Sequence, residues 1–144
     1  MNDESAPRDG YVLDDQAGYL LRQVSQRHAA IFQRLAPGGL TPTQFSTLIR
    51  LHEAGPASQN ELGRAVAMDV ATIKGVIDRL KAKGLVAVKP YPGDRRRTLI
   101  SLTDESVAMI AELHEAGHVI TDETLSPLDA AERTQLLALL RKLT

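Results

Sequence analysis

Three consecutive arginines, Arg95, Arg96 and Arg97, follow the turn-forming run Pro92-Gly93-Asp94. Just upstream, VATIKGVIDRLKAKG from Val70 to Gly84 reads as a basic helix closed by a glycine. Side chains of these types do one kind of chemistry well, the recognition of a polyanion. A helix fits the wide groove of a DNA duplex and an arginine-tipped hairpin fits the narrow one, so the pair can engage both at once. Asp94 can pair with a neighbouring arginine and hold it outstretched. A guanidinium so placed reads the negative potential of a narrow minor groove more than base identity.

Charge partition supports this. From Gly63 to Arg97 there are nine bases against three acids, a local +6, whereas the whole chain carries −1, which leaves −7 on the rest. A basic module in an acidic frame is the electrostatic footprint of a polyanion-binding surface. With 144 residues the chain is expected to form one domain. The absence of cysteine excludes disulfides, thiolate zinc sites and thiol redox sensing. MNDESAPRDG is too acidic and polar for a signal peptide, and no apolar run approaches the ~20 residues of a membrane span. A soluble cytoplasmic protein with residues 1–10 disordered is the expectation.

The positioning elements follow from periodicity and capping signals. Leu13, Ala17, Leu20, Leu21, Val24, His28, Ile31 and Leu35 fall at helical spacing, and Pro37-Gly38-Gly39 should end that helix. Thr41-Pro42-Thr43-Gln44 is a capping box with proline at the first helical position, and Ser58-Gln59-Asn60-Glu61 reads as a second box. Asp69 can cap the next helix, whose buried stripe is read as Val70, Ile73, Val76, Ile77 and Leu80. Leu85–Lys89 and Thr98–Leu102 read as two short strands around the Pro-Gly-Asp turn. Thr103-Asp104-Glu105 opens a long helix to about Glu123, and Ser126-Pro127 is read as opening a leucine-rich last one.

Together these elements predict a mainly α protein with a small β-wing, a winged helix-turn-helix inside a helical frame. Ser58–Val66 is the supporting helix, Asp69–Lys83 the recognition helix and Leu85–Leu102 the wing. Ala71, Thr72, Lys74, Gly75, Asp78 and Arg79 then face outward. The small residues permit close approach, Thr72 can bond a base or phosphate, and Lys74 can reach a guanine or the backbone. The candidate DNA-contacting set is Ser58, Gln59, Val70, Ala71, Thr72, Lys74, Gly75, Arg79, Asp94, Arg95, Arg96 and Arg97.

Asp78-Arg79-Leu80, Gly84-Leu85-Val86 and Asp94-Arg95-Arg96 leading to Leu102-Thr103 stand in an order that resembles the MarR family of bacterial regulators over residues 13–144. The resemblance implies that Arg96 is the minor-groove arginine and that Val70, Ala71, Thr72, Lys74 and Gly75 contact bases. Val70 departs from the small polar residue found in many members. A homodimer is also implied, with residues 11–36 and 103–144 interleaved and residues 41–102 forming the DNA-binding lobe. The terminal helices hold more leucine than a small winged-helix core can bury, which agrees with dimerisation. Two recognition helices would read a pseudo-palindrome with half-sites about one helical turn apart.

The family also implies a crevice for small anionic aromatics between the dimerisation helices and the lobe. Candidates are the residues that interrupt apolar stripes: His28 with Arg22, Ser25 and Gln26, and His114 and His118 near Met109. Imidazole or guanidinium in an apolar slot suits a ring that carries a carboxylate. YVLDDQAGYLLRQVSQRHAAIF is similar to repressors of nicotinic-acid degradation, which points to a hydroxylated pyridine carboxylate. The alternative is a zinc sensor, since His114 and His118 are four apart on one helical face, with His28, His52 or a carboxylate to complete a site. Catalysis is not expected and no cofactor is implied. The chain lacks a glycine-rich phosphate loop, a cysteine nucleophile and a recognisable triad, and Glu112 and Glu115 beside His114 read as ordinary helix surface.

Overall fold

In the computed structural model, described from Gly10 to Thr144, capping signals build the helix starts. Residues 1–9, most of the stretch expected to be disordered, lie outside the described residues. Thr41 Oγ1 accepts the Gln44 N–H at 3.3 Å and Gln44 Oε1 accepts the Thr41 N–H at 3.2 Å, so α2 (Pro42–Ala54) starts in a reciprocal box. Asp69 Oδ1 accepts the Thr72 N–H at 2.7 Å at the head of α4 (Val70–Ala82). That backbone bond, aided by the Thr72 side chain, holds the Asp69 carboxyl below its ordinary range. Thr103 caps α5 (Asp104–Thr124) through the Ser106 N–H.

Some expectations are corrected. The first helix, α1 (Ala17–Leu35), begins later than Leu13, because Leu13–Asp15 forms a single 3-10 turn and Gln16 is extended. Ser126-Pro127 does not open the last helix. Ser126 N–H bonds Glu123 O and Leu128 N–H bonds Leu125 O, so this stretch still unwinds from α5. The start of α6 (Ala130–Lys142) is instead Asp129, in a capping box with Glu132 at 2.8 and 3.0 Å. At the head of α3 (Gln59–Ala65), Ser58 accepts the Glu61 N–H at 3.2 Å, but the return bond of a box is absent because the Glu61 carboxylate is drawn to Arg97.

The wing strands are longer than predicted. β2 (Val86–Tyr91) and β3 (Asp94–Leu102) pair antiparallel around Pro92-Gly93, with Gly93 at φ +81°. The three arginines therefore lie on a strand rather than in the turn, and alternate across its faces. A short β1 (Ala57–Ser58) pairs with the far end of β3, Ser58 opposite Leu99, giving the sheet order β1-β3-β2. Gly84, at φ +74°, ends α4 while Leu85 N–H bonds Leu80 O, and the chain turns into β2.

One apolar core joins α2, α3, α4, the sheet and α5 through Leu48, Leu62, Ile73, Leu80, Ile100 and Leu113. Gly63 sits where α3 crosses α4. A Cβ there would lie 3.2 Å from Ile73 Cγ2 and from the Met68 carbonyl, so the crossing is tight. A smaller cluster of Ile31, Phe32 and Ile120 joins α1 to α5. By contrast Leu20, Leu21, Val24, Val119, Leu137 and Leu139 are exposed, and α6 has no buried residue.

Candidate nucleic-acid interface and effector cavity

The amphipathic pattern of α4 puts Ile73, Val76, Ile77 and Leu80 into the core and turns Ala71, Thr72, Lys74, Asp78 and Arg79 outward. Val70 is corrected from the buried stripe to the surface: as first residue of α4 it is 65 % exposed, at the rim of an open cleft between α3 and α4. Its exposed side chain lies on the face that carries Ala71 and Lys74. Gly75 has only the Arg79 guanidinium near its missing side chain, so the surface stays low there. Lys74 pairs with Asp78 at 3.2 Å, an exposed contact of small energy that leaves the ammonium available. Ser58 is buried and its hydroxyl is used by the cap, whereas Gln59 is half-buried.

Asp94 organises the wing. Its Oδ1 accepts the Arg96 N–H at 3.0 Å and stands 3.5 Å from Arg96 Nε, while the Arg96 side chain is 93 % exposed. The guanidinium is thus held at its base and free at its tip. Arg95 is likewise exposed. Arg97 is engaged within the protein, 3.0 Å from Glu61 Oε1 and with its guanidinium carbon 4.2 Å from the centre of the Tyr91 ring. Sequence reasoning missed Asn60 and Arg64. They line a cleft of about 410 Å³ with Gln59, Asp69 and Val70, at the junction of α3 and α4. The basic charge of Arg64 was the available signal; its direction was set by the helix crossing.

A second concavity, about 420 Å³, opens between α1, α2 and α5, within the size range of small-molecule sites. The fold brings His28, His114 and His118 together here, against Phe32, Phe45 and Ile49. His28 Nδ1 bonds Thr124 Oγ1 at 2.8 Å, which orients the ring and leaves its other nitrogen for the cavity. Arg27 donates to the Thr124 and Glu123 carbonyls at 2.5 and 3.0 Å, tying α1 to the end of α5, where Arg34 also pairs with Glu123. His52, on α2, stands edge-on to His114 at 5.8 Å between ring centres but does not line the cavity. Neither do Arg22, Ser25 and Gln26, which are exposed on α1, nor Met109, which packs against the main core beside Gly38. Gly117 lets the Phe45 ring approach α5, and the ring meets Phe32 edge-on at 5.4 Å. His28, His114 and His118 share the cavity lining, but among the described residues no three His, Cys, Asp or Glu side chains stand as a group that could hold a metal ion.

Residues 40–98 match the model of the MarR family. The chain is 44 % identical over 142 residues to the HTH-type transcriptional repressor NicR of Pseudomonas putida, covering 96 % of this chain and 90 % of that one. The chain belongs to the MarR family. Among solved structures, it matches BpsR of Bordetella bronchiseptica, studied for regulation of its DNA binding by 6-hydroxynicotinic acid, with a TM-score of 0.87 and 42 % identity, covering 93 % of this chain and 96 % of that one. A mutant MarR of E. coli complexed with operator DNA matches with a TM-score of 0.79 and 30 % identity, covering 88 % of this chain and 91 % of that one. MarR-family regulators are dimeric DNA-binding transcription factors and not enzymes, and this MarR-family chain has their winged-helix fold. The zinc alternative gains no support from these relatives.

Proposed function

We propose that this protein is a homodimeric transcriptional repressor released from a pseudo-palindromic operator by a small aromatic or pyridine carboxylate, a hydroxylated nicotinate first among them. The observation that carries this reading is the three-histidine cavity framed by α1 and α5 on one side and by α2 of the DNA-binding lobe on the other. A ring with a carboxylate fits it chemically. Phe32, Phe45 and Ile49 take the ring, and imidazole N–H groups offer charge-assisted bonds in a site partly shielded from water. The likeness to NicR and to BpsR, whose DNA binding 6-hydroxynicotinic acid regulates, favours the pyridine acid.

In the dimer, residues 11–36 and 103–144 supply the shared frame, and their exposed Leu20, Leu21, Val24, Leu137 and Leu139 supply the apolar surface to be covered. Each lobe then presents α4 to a major groove and Arg96 to the adjacent minor groove. Ala71, Thr72, Lys74, Gly75 and Arg79 contact the operator from α4. A regulator working on DNA belongs in the cytoplasm, and among the described residues no helix is long and apolar enough to cross a membrane.

The effector acts by binding more tightly to a lobe spacing that does not fit the operator. A coupling of ~1–3 kcal/mol corresponds to ~5–150-fold weaker DNA binding. Three side chains, Phe45, Ser46 and Ile49, line both the effector cavity and a second cavity of about 330 Å³ bounded by Ala65, Val66 and Ala67, ahead of α4, and Phe45, the largest, is placed to convey the coupling.

Thermal melting with 6-hydroxynicotinate, nicotinate, benzoate and zinc tests the reading. A ligand at a hundred times its dissociation constant adds ~2.7 kcal/mol, a readily measured rise. The expected result is stabilisation by a pyridine or aromatic acid, and release by that acid from a duplex that the protein selects out of a random library. Stabilisation by zinc alone, or no effect of any acid on melting and DNA release, overturns it.

A further inference from the structure

We propose that Arg97 does not contact DNA but positions the wing, locking it to the supporting helix through Glu61 and Tyr91. The inference rests on the DNA-binding reading above and concerns which of the three arginines serve it. Arg95, Arg96 and Arg97 are chemically alike in sequence, but the fold treats them differently. Arg96 is steered outward by Asp94 and is almost fully exposed, whereas the Arg97 side chain is only 44 % exposed and is held at two points. Its Nη2 lies 3.0 Å from Glu61 Oε1, 36 residues away on α3, and its guanidinium lies over the Tyr91 ring of β2.

Each contact on its own is weak. An exposed ion pair and an exposed cation–π contact are both small, so global stability is not their main consequence. Their arrangement matters more. The β1–β3 pairing fixes the base of the wing at Ser58 and Leu99, and beyond it the two-stranded ribbon has no sheet partner on the α3 side. Arg97 is the next tie toward the tip, one residue from Arg96. It sets the angle at which Arg96 leaves the lobe relative to α4, and hence whether both can reach their grooves together.

The lock also engages the Glu61 side chain. Its carboxylate could close the capping box at Ser58 but pairs with Arg97 instead.

The test compares Arg97→Gln, Tyr91→Leu and Arg96→Gln for binding to a duplex selected by the wild-type dimer, over a series of salt concentrations. A side chain that neutralises a phosphate contributes about 0.9 to the slope of log affinity against log salt, or about 1.8 for the two copies in a dimer. Arg96→Gln is expected to lose affinity and flatten the slope by about that amount. Arg97→Gln and Tyr91→Leu are expected to lose affinity severalfold with the wild-type slope, and the double variant Arg97→Gln/Tyr91→Leu to lose little more than either alone. A slope flattened by Arg97→Gln as much as by Arg96→Gln overturns the proposal, and so does wild-type affinity in Tyr91→Leu. Failure of the wild-type protein to select any duplex would instead refute the DNA-binding reading itself.

Discussion

Adding one methyl group to α5 should mimic part of the effector's action. In Gly117→Ala the new Cβ would stand 3.2 Å from Phe45 Cζ and 3.7 Å from Phe45 Cε1, where carbon atoms ordinarily settle at about 3.5–4.0 Å. The ring must therefore retreat by a few tenths of an ångström. Phe32 meets it edge-on at 5.4 Å, and the ring borders two open spaces, the effector cavity and the cavity against Ala65–Ala67 ahead of the recognition helix. Overpacking of this kind costs about 1–3 kcal/mol. Replacing a mid-helix glycine by alanine contributes about 0.8–1.0 kcal/mol in the other direction. The net destabilisation thus lies between near zero and about 2 kcal/mol, so melting of the single variant decides little.

A cycle with Phe45→Leu isolates the contact. Where the ring is gone, Gly117→Ala should stabilise by about 1 kcal/mol through helix propensity, and the difference between backgrounds should be about 1–3 kcal/mol. Calorimetric melting reads that difference, and duplex binding without effector reads its consequence, a weaker complex for Gly117→Ala with Phe45 intact. If Gly117→Ala shifts stability equally in both backgrounds and leaves DNA affinity unchanged, Phe45 does not transmit strain from α5 to the lobe.

Other outcomes follow from the same geometry. Arg96→Ala should lower the salt slope of the dimer by about 1.8, so a fourfold rise in salt erodes the wild type's advantage about twelvefold; binding titrations at several salt concentrations check this. His114→Ala should bind the duplex like wild type but need about 10–150 times more 6-hydroxynicotinate for release, the loss of one charge-assisted bond of ~1.5–3 kcal/mol. Release at the wild-type concentration would remove His114 from the effector site. The Asp69 carboxyl, lowered by the Thr72 N–H and side chain, lends its cap to α4 above the ordinary carboxylate range and loses it as pH falls through the depressed value. Protection of the Thr72 amide, its exchange relative to the intrinsic rate at the same pH, should therefore fall in acid, and Asp69→Asn, which can still cap but does not titrate, should remove that fall.

Much of the lobe was legible because its signals are local. Thr41 with Gln44, Asp69 with Thr72 and Thr103 with Ser106 each lie three residues apart, and such caps form wherever the chain permits a helix. The α4 stripe from Ile73 to Leu80 was readable for the same reason, since its period is a property of one helix. Errors occurred where a distant partner intervened. Val70 continues the stripe by type yet is exposed, at the open cleft between α3 and α4. Ser58-Gln59-Asn60-Glu61 has the letters of a capping box, but Arg97 takes the Glu61 side chain. Ser126-Pro127 looked like a helix start, whereas hydrogen bonds from the end of α5 claim that stretch and leave the start to Asp129.

The candidate cavity divides the same way. Composition and spacing singled out His28, His114 and His118, but nothing local said that they share a space. Arg22, Ser25 and Gln26, neighbours of His28 in sequence, fall off the cavity because α1 meets α5 along the face that carries Arg27, His28, Ile31, Phe32, Arg34 and Leu35. The sequence by itself determined the helix periods, the caps, the basic module and the resemblance to MarR regulators, all of which depend on residues within a few turns of one another. Only the tertiary structure decided which arginine is tied down, which histidines meet and where Phe45 stands between two cavities. Those facts depend on the packing of segments tens of residues apart, and packing is settled by shape across the whole core rather than by any stretch of it.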